Sequence, residues 1–436
     1  MNRRNFVTLM GSGALSALAA GLPAPASADL YEYIARPEPD FKWEKRGEKR
    51  LGNGTVYDLH LVSQKWQGEI WSHRLQLFYP DNCKRTDFCT LLNTGGGGSS
   101  AEDFLGMTAA TQAGAPFAIL FHIPKQPLYG GKVEDELIVH TWMKYMETGD
   151  ESWPLHFPMA KAVIKAMDVL QAFTKDAGKP RLERFLITGA SKRGWTTWLV
   201  GASKDKRVAG IAPMVIDILN VAKQIPRQLE SFGKPSEQVG DYTAMGFDKI
   251  LATPQGRRLL ELEDPWSYRN ILTMPKLIIL GTNDRYWSQD ALNIYWDDLK
   301  GDKWVLYTPN SGHGLEDRGR VVATLTAFAR ALADRKPWPS LKWKYQDSPG
   351  GTKLSLESNV APESARLFRC TAPTLDFRDS KWASTELKVD GRKLVAESQA
   401  PESGCAAVFV EATFKTNDQE FTLSTQLRIL GKPAGK

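Results

Sequence analysis

The sequence predicts an α/β protein with three parts: a mostly parallel sheet covered by helices on both faces, a helical cap insertion, and a C-terminal all-β sandwich. Three observations carry this. Continuous apolar runs of strand length alternate with helical patterns through most of the chain. One of these runs ends on a serine in a glycine-flanked turn. After about Lys342 the pattern changes to short alternating segments broken by Gly, Pro, Asn and Asp.

Taken in order, residues 56–62 and 70–79 alternate in the half-buried manner of an antiparallel start. Residues 88–93, 116–123, 185–188, 208–215 and 277–280 are uninterrupted apolar runs, as expected for strands buried on both faces, and 304–307 is a further candidate. Ala160, Val163, Ile164, Met167, Leu170 and Phe173 form one helical stripe that stops near Gly178-Lys179-Pro180. A last helix is expected over 320–332. Residues 218–271 separate two strands by far more than a crossover helix needs, and read as a cap with helical segments at 221–232 and 256–263. Residues 121–158, with Trp142, Tyr145, Trp153 and His156, are a candidate pocket wall, and the acidic run Glu134-Asp135-Glu136 within them is expected to be solvated surface. Runs at 354–356, 365–370, 386–389, 406–413 and 421–430 suggest the sandwich, with Pro337-Trp338-Pro339 as boundary. The expected division is therefore 1–28, 29–340 and 341–436.

The chemistry is carried by Gly189-Ala190-Ser191-Lys192-Arg193-Gly194, which follows the run 184–188 and opens a helical pattern. A serine on a sharp turn between strand and helix is held off the sheet, as in the nucleophile elbow of the α/β-hydrolase fold. The usual elbow is G-x-S-x-G. Here Arg193 takes the second glycine's position and Gly194 comes one later. The simpler alternative for Ser191 is a helix N-cap. The fold requires the order serine, acid, histidine. The run 277–280 ends in Gly281-Thr282-Asn283-Asp284, and 304–307 is followed by Asn310-Ser311-Gly312-His313. With six histidines in the chain and none between His156 and His313, the expected triad is Ser191, His313 and Asp284. The backbone N–H of Lys192 and those of Gly96 and Gly97, in the run Gly95–Gly98, are the expected oxyanion donors. Trp142, Trp195, Lys192 and Arg193 are candidate pocket residues, although the aromatic pair also suits a core.

These motifs resemble the PhoPQ-activated pathogenicity-related protein family. The resemblance rests on Tyr33-Ile34-Ala35-Arg36-Pro37-Glu38-Pro39, Lys42-Trp43-Glu44, the glycine loop, Lys125-Gln126-Pro127-Leu128, the Ser191 turn through Trp195, the Asp284 and His313 loops, and the Arg378-Asp379 and Trp382 region. It implies the hydrolase fold and a Ser-Asp-His triad, and leaves the substrate open. The turn also resembles the elbow of glucuronoyl esterases, in which a basic residue after the serine assists the oxyanion. Lys192 stands there, and the alternative for its ammonium is to snorkel to solvent.

Composition, at 42% hydrophobic and 24% charged over 436 residues, suits a soluble chain of two domains. A net charge of +6 without a basic stripe argues against a nucleic-acid partner, and no apolar run of transmembrane length follows the N-terminus. Arg3-Arg4, an Ala- and Gly-rich stretch and Ala26-Ser27-Ala28 make a twin-arginine export signal cleaved after Ala28, hence a periplasmic or secreted protein. Four cysteines suit an oxidising compartment; sequence proximity favours pairing Cys83 with Cys89 and Cys370 with Cys405. Export in the folded state leaves free thiols as the alternative. No metal-ligand spacing is present and no cofactor is expected.

The expected function is a serine hydrolase acting through an acyl-enzyme on a small-molecule or peptide substrate. Carboxylesterase is the first choice, a peptidase acting on peptide N-termini the second. An esterase for anionic sugar esters and a catalytically silent binding or signalling protein remain as further alternatives.

Overall fold

The computed structural model describes residues 29–416 and 419–433; the expected export signal lies outside them. After helix α1 (Leu30–Ala35), strands β1 (Lys42–Arg50), β2 (Gly54–Trp66) and β3 (Glu69–Pro80) form an antiparallel meander. Then β4 (Phe88–Asn93), α2 (Ser100–Ala113), β5 (Phe117–Leu120), α3 (Glu134–Thr148), α4 (His156–Asp176), β6 (Arg184–Ala190), α5 (Lys192–Ala202) and β7 (Val208–Met214) build the parallel part. An insertion with α6 (Val221–Phe232), α7 (Gly240–Ala244), α8 (Phe247–Leu251) and α9 (Pro254–Glu263) precedes β8 (Lys276–Gly281), β9 (Lys303–Thr308) and α10 (Arg318–Asp334).

The strand order is β1-β2-β3-β5-β4-β6-β7-β8-β9, antiparallel up to the β3–β5 pair and parallel from there to β9. This mixed order has the arrangement of the α/β-hydrolase fold. Its parallel strands bury both faces, which is why they read as continuous apolar runs. Alternation is nonetheless visible in the packing. Ile187 points into a core shared with Leu170 of α4 and Trp198 of α5. Its neighbour Leu186 points to the other face, with Val321 and Phe328 of α10. Strand β1 escaped the sequence reading because its composition, Lys-Trp-Glu-Lys-Arg-Gly-Glu-Lys-Arg, is that of a charged, exposed edge strand.

Eight strands follow: β10 (Leu341–Ser348), β11 (Gly351–Ser358), β12 (Ser364–Ala372), β13 (Ala383–Leu387), β14 (Lys393–Gln399), β15 (Gly404–Thr416), β16 (Gln419–Ser424) and β17 (Arg428–Lys432). The small sheet β10-β11-β14 packs over β12 and β15 through Leu354, Leu356 and Leu394 against Ala365 and Val410. Two layers are thus present, but the larger one is no separate sheet. Strand β16 pairs with β9 at Ser424 and Val305, so the order continues β9-β16-β15-β12-β13 within one fourteen-stranded sheet. The expected run 421–430 also breaks in two, because β16 and β17 pair successive stretches of β15.

The expected disulfides are absent: Cys83, Cys89, Cys370 and Cys405 are all free. Cys370 lies opposite Ala407 and Cys405 opposite Ala372, a two-residue offset across one strand pair. Such diagonal neighbours stand about 7–8 Å apart, beyond the usual disulfide span of roughly 4.4–6.8 Å between Cα atoms. Cys89 Sγ donates to the Thr90 carbonyl at 3.4 Å.

Candidate active site

One residue separates β6 from α5, and it is Ser191, at φ 59° and ψ −129°. For a residue with a side chain this conformation costs about 1–3 kcal/mol. It is held by two bonds: Ser191 N donates to Met214 O, and Trp195 N to Ser191 O, both at 2.9 Å. The hydroxyl makes no capping bond to α5, so the N-cap role is not taken up. The flanking glycines are steric necessities. A Cβ on Gly189 would come within 2.5 Å of Asn93 Nδ2, and one on Gly194 within 2.7 Å of Met214 O. The glycine this turn needs is therefore the third residue after the serine, and the sequence supplies it there.

Arg193 does not line the cavity that holds Ser191 and is 8% exposed. Its guanidinium forms a two-pronged pair with Glu134 at 2.6 and 2.7 Å, and its Nε donates to Ile123 O at 2.5 Å. A Cβ on Gly95 would collide with that guanidinium. The glycine that the elbow requires is thus Gly95. Gly96 O accepts from His122 N, a Cβ on Gly97 would face His122 Nε2 at 3.1 Å, and neither residue lines the cavity that holds Ser191. The Gly96 N–H donates to Thr94 Oγ1 at 3.3 Å.

Lys192 does not snorkel to solvent. Its ammonium is buried and paired with Glu134 at 2.6 Å and Asp135 at 3.1 Å. Burial works to raise the Glu134 carboxyl, but hydrogen bonding and charge from Arg193, with Lys192 behind, outweigh it and hold the group well below the usual carboxylate range. The acidic run is therefore mostly not solvated surface. Glu134 and Asp135 belong to the site, and Glu136 alone faces out, pairing with Lys132. Two adjacent basic residues in a turn that becomes buried require two carboxylates, and that was the signal available in the sequence.

The loops after β8 and β9 bring acid and histidine together. His313 Nδ1 lies 2.8 Å from Asp284 Oδ2, and Asp284 Oδ1 accepts from Tyr286 N at 2.9 Å. The loops are locked to each other, since Asn283 N donates to Ser311 O and Asn310 N to Thr282 Oγ1, both at 2.9 Å. His313 Nε2 is buried and makes no hydrogen bond, and among the described residues Ser191 Oγ makes none either. Tyr286 spans the gap. Its ring lies over His313, centroids 4.3 Å apart, and it lines the same cavity as Ser191.

That cavity holds about 320 Å³. Trp142 and Trp195 form one wall, braced by Glu263, whose Oε2 accepts from Trp142 Nε1 and whose carbonyl accepts from Trp195 Nε1. The insertion supplies the roof through Val221, Ile225, Tyr242 and Phe247. Asp264 ties the insertion's two ends together by accepting from Asn220 N, Val221 N and Trp266 N. Burial pushes its carboxyl up to about 6, against these bonds. Residues of the C-terminal part reach the site too. Asn283 Nδ2 donates to Arg378 O and Ser380 O, and Asn310 exchanges two bonds with the Trp382 backbone. Among the described residues no three His, Cys, Asp or Glu side chains are grouped to hold a metal, and no helix is long and apolar enough to cross a membrane.

Known proteins resemble the chain at two levels. It is 28% identical over 442 residues to autocrine proliferation repressor protein A of Dictyostelium discoideum, covering 91% of this chain and 89% of that protein. Acetyl xylan esterase 1 from Thermoanaerobacterium sp. JW/SL YS485 superposes with a TM-score of 0.50 at 13% identity, over 71% of this chain and 95% of the esterase, a likeness of fold. The acetyl xylan esterase from Paenibacillus sp. R4 follows with a TM-score of 0.48, 12% identity and coverage of 69% and 90%. The family model of the PhoPQ-activated pathogenicity-related proteins matches residues 30–378, and the chain belongs to that family.

Proposed function

We propose that the protein is a serine hydrolase that cleaves esters through an acyl-enzyme. The observation that carries this is Ser191, held at positive φ in the wall of an apolar cavity, with the His313–Asp284 pair on the same sheet edge. With its proton on Nδ1, directed at Asp284, the imidazole presents an unprotonated Nε2. Ser191 Oγ attacks the carbonyl and Nε2 takes its proton. The same proton passes to the leaving alcohol, and water then releases the acid by the reverse sequence. The N–H of Lys192, at the start of α5, faces the developing oxyanion.

An ester is favoured over the amine end of a peptide, because Asp135, the carboxylate in the cavity, is already paired with Lys192. Anionic sugar esters are disfavoured by the same bookkeeping: Lys192 and Arg193 are both paired with carboxylates. Residues 1–28 we read as an export signal, so mature protein recovered from the periplasm or medium should begin at Asp29. The direct test is hydrolysis of p-nitrophenyl esters by the wild type against Ser191→Ala; equal rates would refute the proposal. One observation favours a second reading. The relative from Dictyostelium is named for repressing proliferation, and a signalling protein that keeps the fold would show full biological effect as Ser191→Ala.

A further inference from the structure

The cavity beside Ser191 is charged at one end only. There Lys192 meets Asp135, which also accepts from the hydroxyls of Tyr242 and Tyr286, both at 3.3 Å. These charged and hydroxyl groups therefore saturate one another. Away from them the wall is hydrocarbon. Val221, Ile225 and Leu229 of α6 stand four residues apart and so share one helix face, opposite Trp142 and Trp195. The amides on the same helix are engaged elsewhere: Gln224 Nε2 donates to Leu219 O and Ala291 O, and Gln228 Nε2 to Tyr286 O. The buried, unbonded polar atoms among the lining side chains, Trp287 Nε1 and Ser288 Oγ, both belong to the loop that carries Asp284. A hydroxyl-rich ligand would lose its water here and find few partners, at a cost for each unpaired group. Leu229 remains 44% exposed on the cavity wall.

Resting on the serine-hydrolase reading, we propose that the substrate is an ester bearing a medium-length hydrocarbon moiety, which lies along the Val221–Ile225–Leu229 face of the cap. A volume of about 320 Å³ is at the lower end of the roughly 300–1,000 Å³ of small-molecule sites, enough for a chain of up to about ten carbons. Ile225 is the specificity-determining residue, because a larger side chain there fills the path of the chain.

The experiment measures kcat/KM for p-nitrophenyl acetate, butyrate, octanoate and dodecanoate, and for methyl against octyl acetate. Each buried methylene is worth about a factor of four. Octanoate should therefore exceed acetate by at least about sixtyfold even if only half of the added chain is seated. A rise along the acyl series places the hydrocarbon on the acid; a rise from methyl to octyl acetate alone places it on the alcohol. Ile225→Trp should lower the octanoate-to-acetate ratio about tenfold or more, and Leu229→Ser should lower it less. No gain from acetate to octanoate together with none from methyl to octyl acetate, or a chain-length ratio indifferent to Ile225→Trp in the series that rises, overturns the proposal. Labelling of Ser191 by a fluorophosphonate, run in parallel, separates the two claims. With Ser191 labelled and short esters preferred, only the chain proposal falls; with no labelling and no hydrolysis, the serine-hydrolase reading falls with it.

Discussion

Arg193 meets Glu134 in a two-pronged ion pair, 2.6 and 2.7 Å, at the elbow position where the common motif has glycine. The arginine is integral to the turn: it reaches over Gly95, bonds Ile123 O and holds the start of α3 against the elbow. Arg193→Gly, which restores the common G-x-S-x-G spacing, should therefore lower stability and slow the proposed ester hydrolysis. Removing one partner of a buried pair costs about 3–5 kcal/mol. With Glu134 41% exposed, solvent screening brings the expected loss for either Arg193→Gly or Glu134→Ala to about 1–3 kcal/mol. Urea melts of both variants check this, and an Arg193→Gly protein more stable than wild type contradicts it.

The loops that carry Asp284 and His313 are fixed from outside the hydrolase core. Asn283 bonds the backbone at Arg378 and Ser380, and Asn310 exchanges bonds with Trp382 at 2.8 and 3.0 Å. A displacement of about 1 Å at a catalytic group costs on the order of a hundredfold in rate. Asn310→Ala should thus reduce kcat by about ten- to a hundredfold with little change in KM, and without loss of the folded state by circular dichroism. A KM effect alone would show that Asn310 acts on binding instead.

Asp217 predicts a pH dependence. It is buried near Asp284, and burial, with the charges of Asp284 and Asp290, pushes its carboxyl up to about 8 despite the hydrogen bond from Tyr295. The folded state therefore holds this proton more tightly than the unfolded chain. The stability it contributes is complete below about pH 4, the ordinary aspartate value, and is lost as pH rises toward 8. Asp217→Asn removes the titration and still accepts the Tyr295 bond. Wild type should lose stability relative to the variant between about pH 4 and 8, measured by chemical denaturation; parallel curves across that range contradict the assignment.

Free thiols give a further check. Cys89, Cys370 and Cys405 are buried, and burial raises all three thiols, Cys370 up to about 12. Neutral buried thiols react slowly. Titration of the purified protein should modify Cys83 first and the others only after denaturation, and reductant should leave the denatured mass unchanged. A disulfide between any two of them would contradict the structure.

Much of the hydrolase sheet was legible because its strands are buried on both faces and so appear as unbroken apolar runs. The serine turn was legible because a local backbone constraint fixes its glycines, and the loops after β8 and β9 because each directly follows a strand. What escaped depends on contacts between distant residues. Glu134 and Asp135 read as surface because their cationic partners lie 59 residues away at Arg193 and in its neighbour Lys192. The steric need for glycine at Gly95 has no local sign either, since it comes from the packed Arg193 guanidinium. The C-terminal strands looked like a separate sandwich because their own alternation is regular. The single pairing of Ser424 with Val305 that joins them to the main sheet has no local signature.

The central claim is that Ser191, His313 and Asp284 act as one nucleophilic unit. The measurement that tests it most directly is labelling of the purified protein with a fluorophosphonate, followed by mass-spectrometric mapping of the adduct. Label on Ser191, absent in Ser191→Ala and slowed about a thousandfold or more in Asp284→Asn, is the predicted result. An unlabelled protein, or label equally strong after Ser191→Ala, would contradict it.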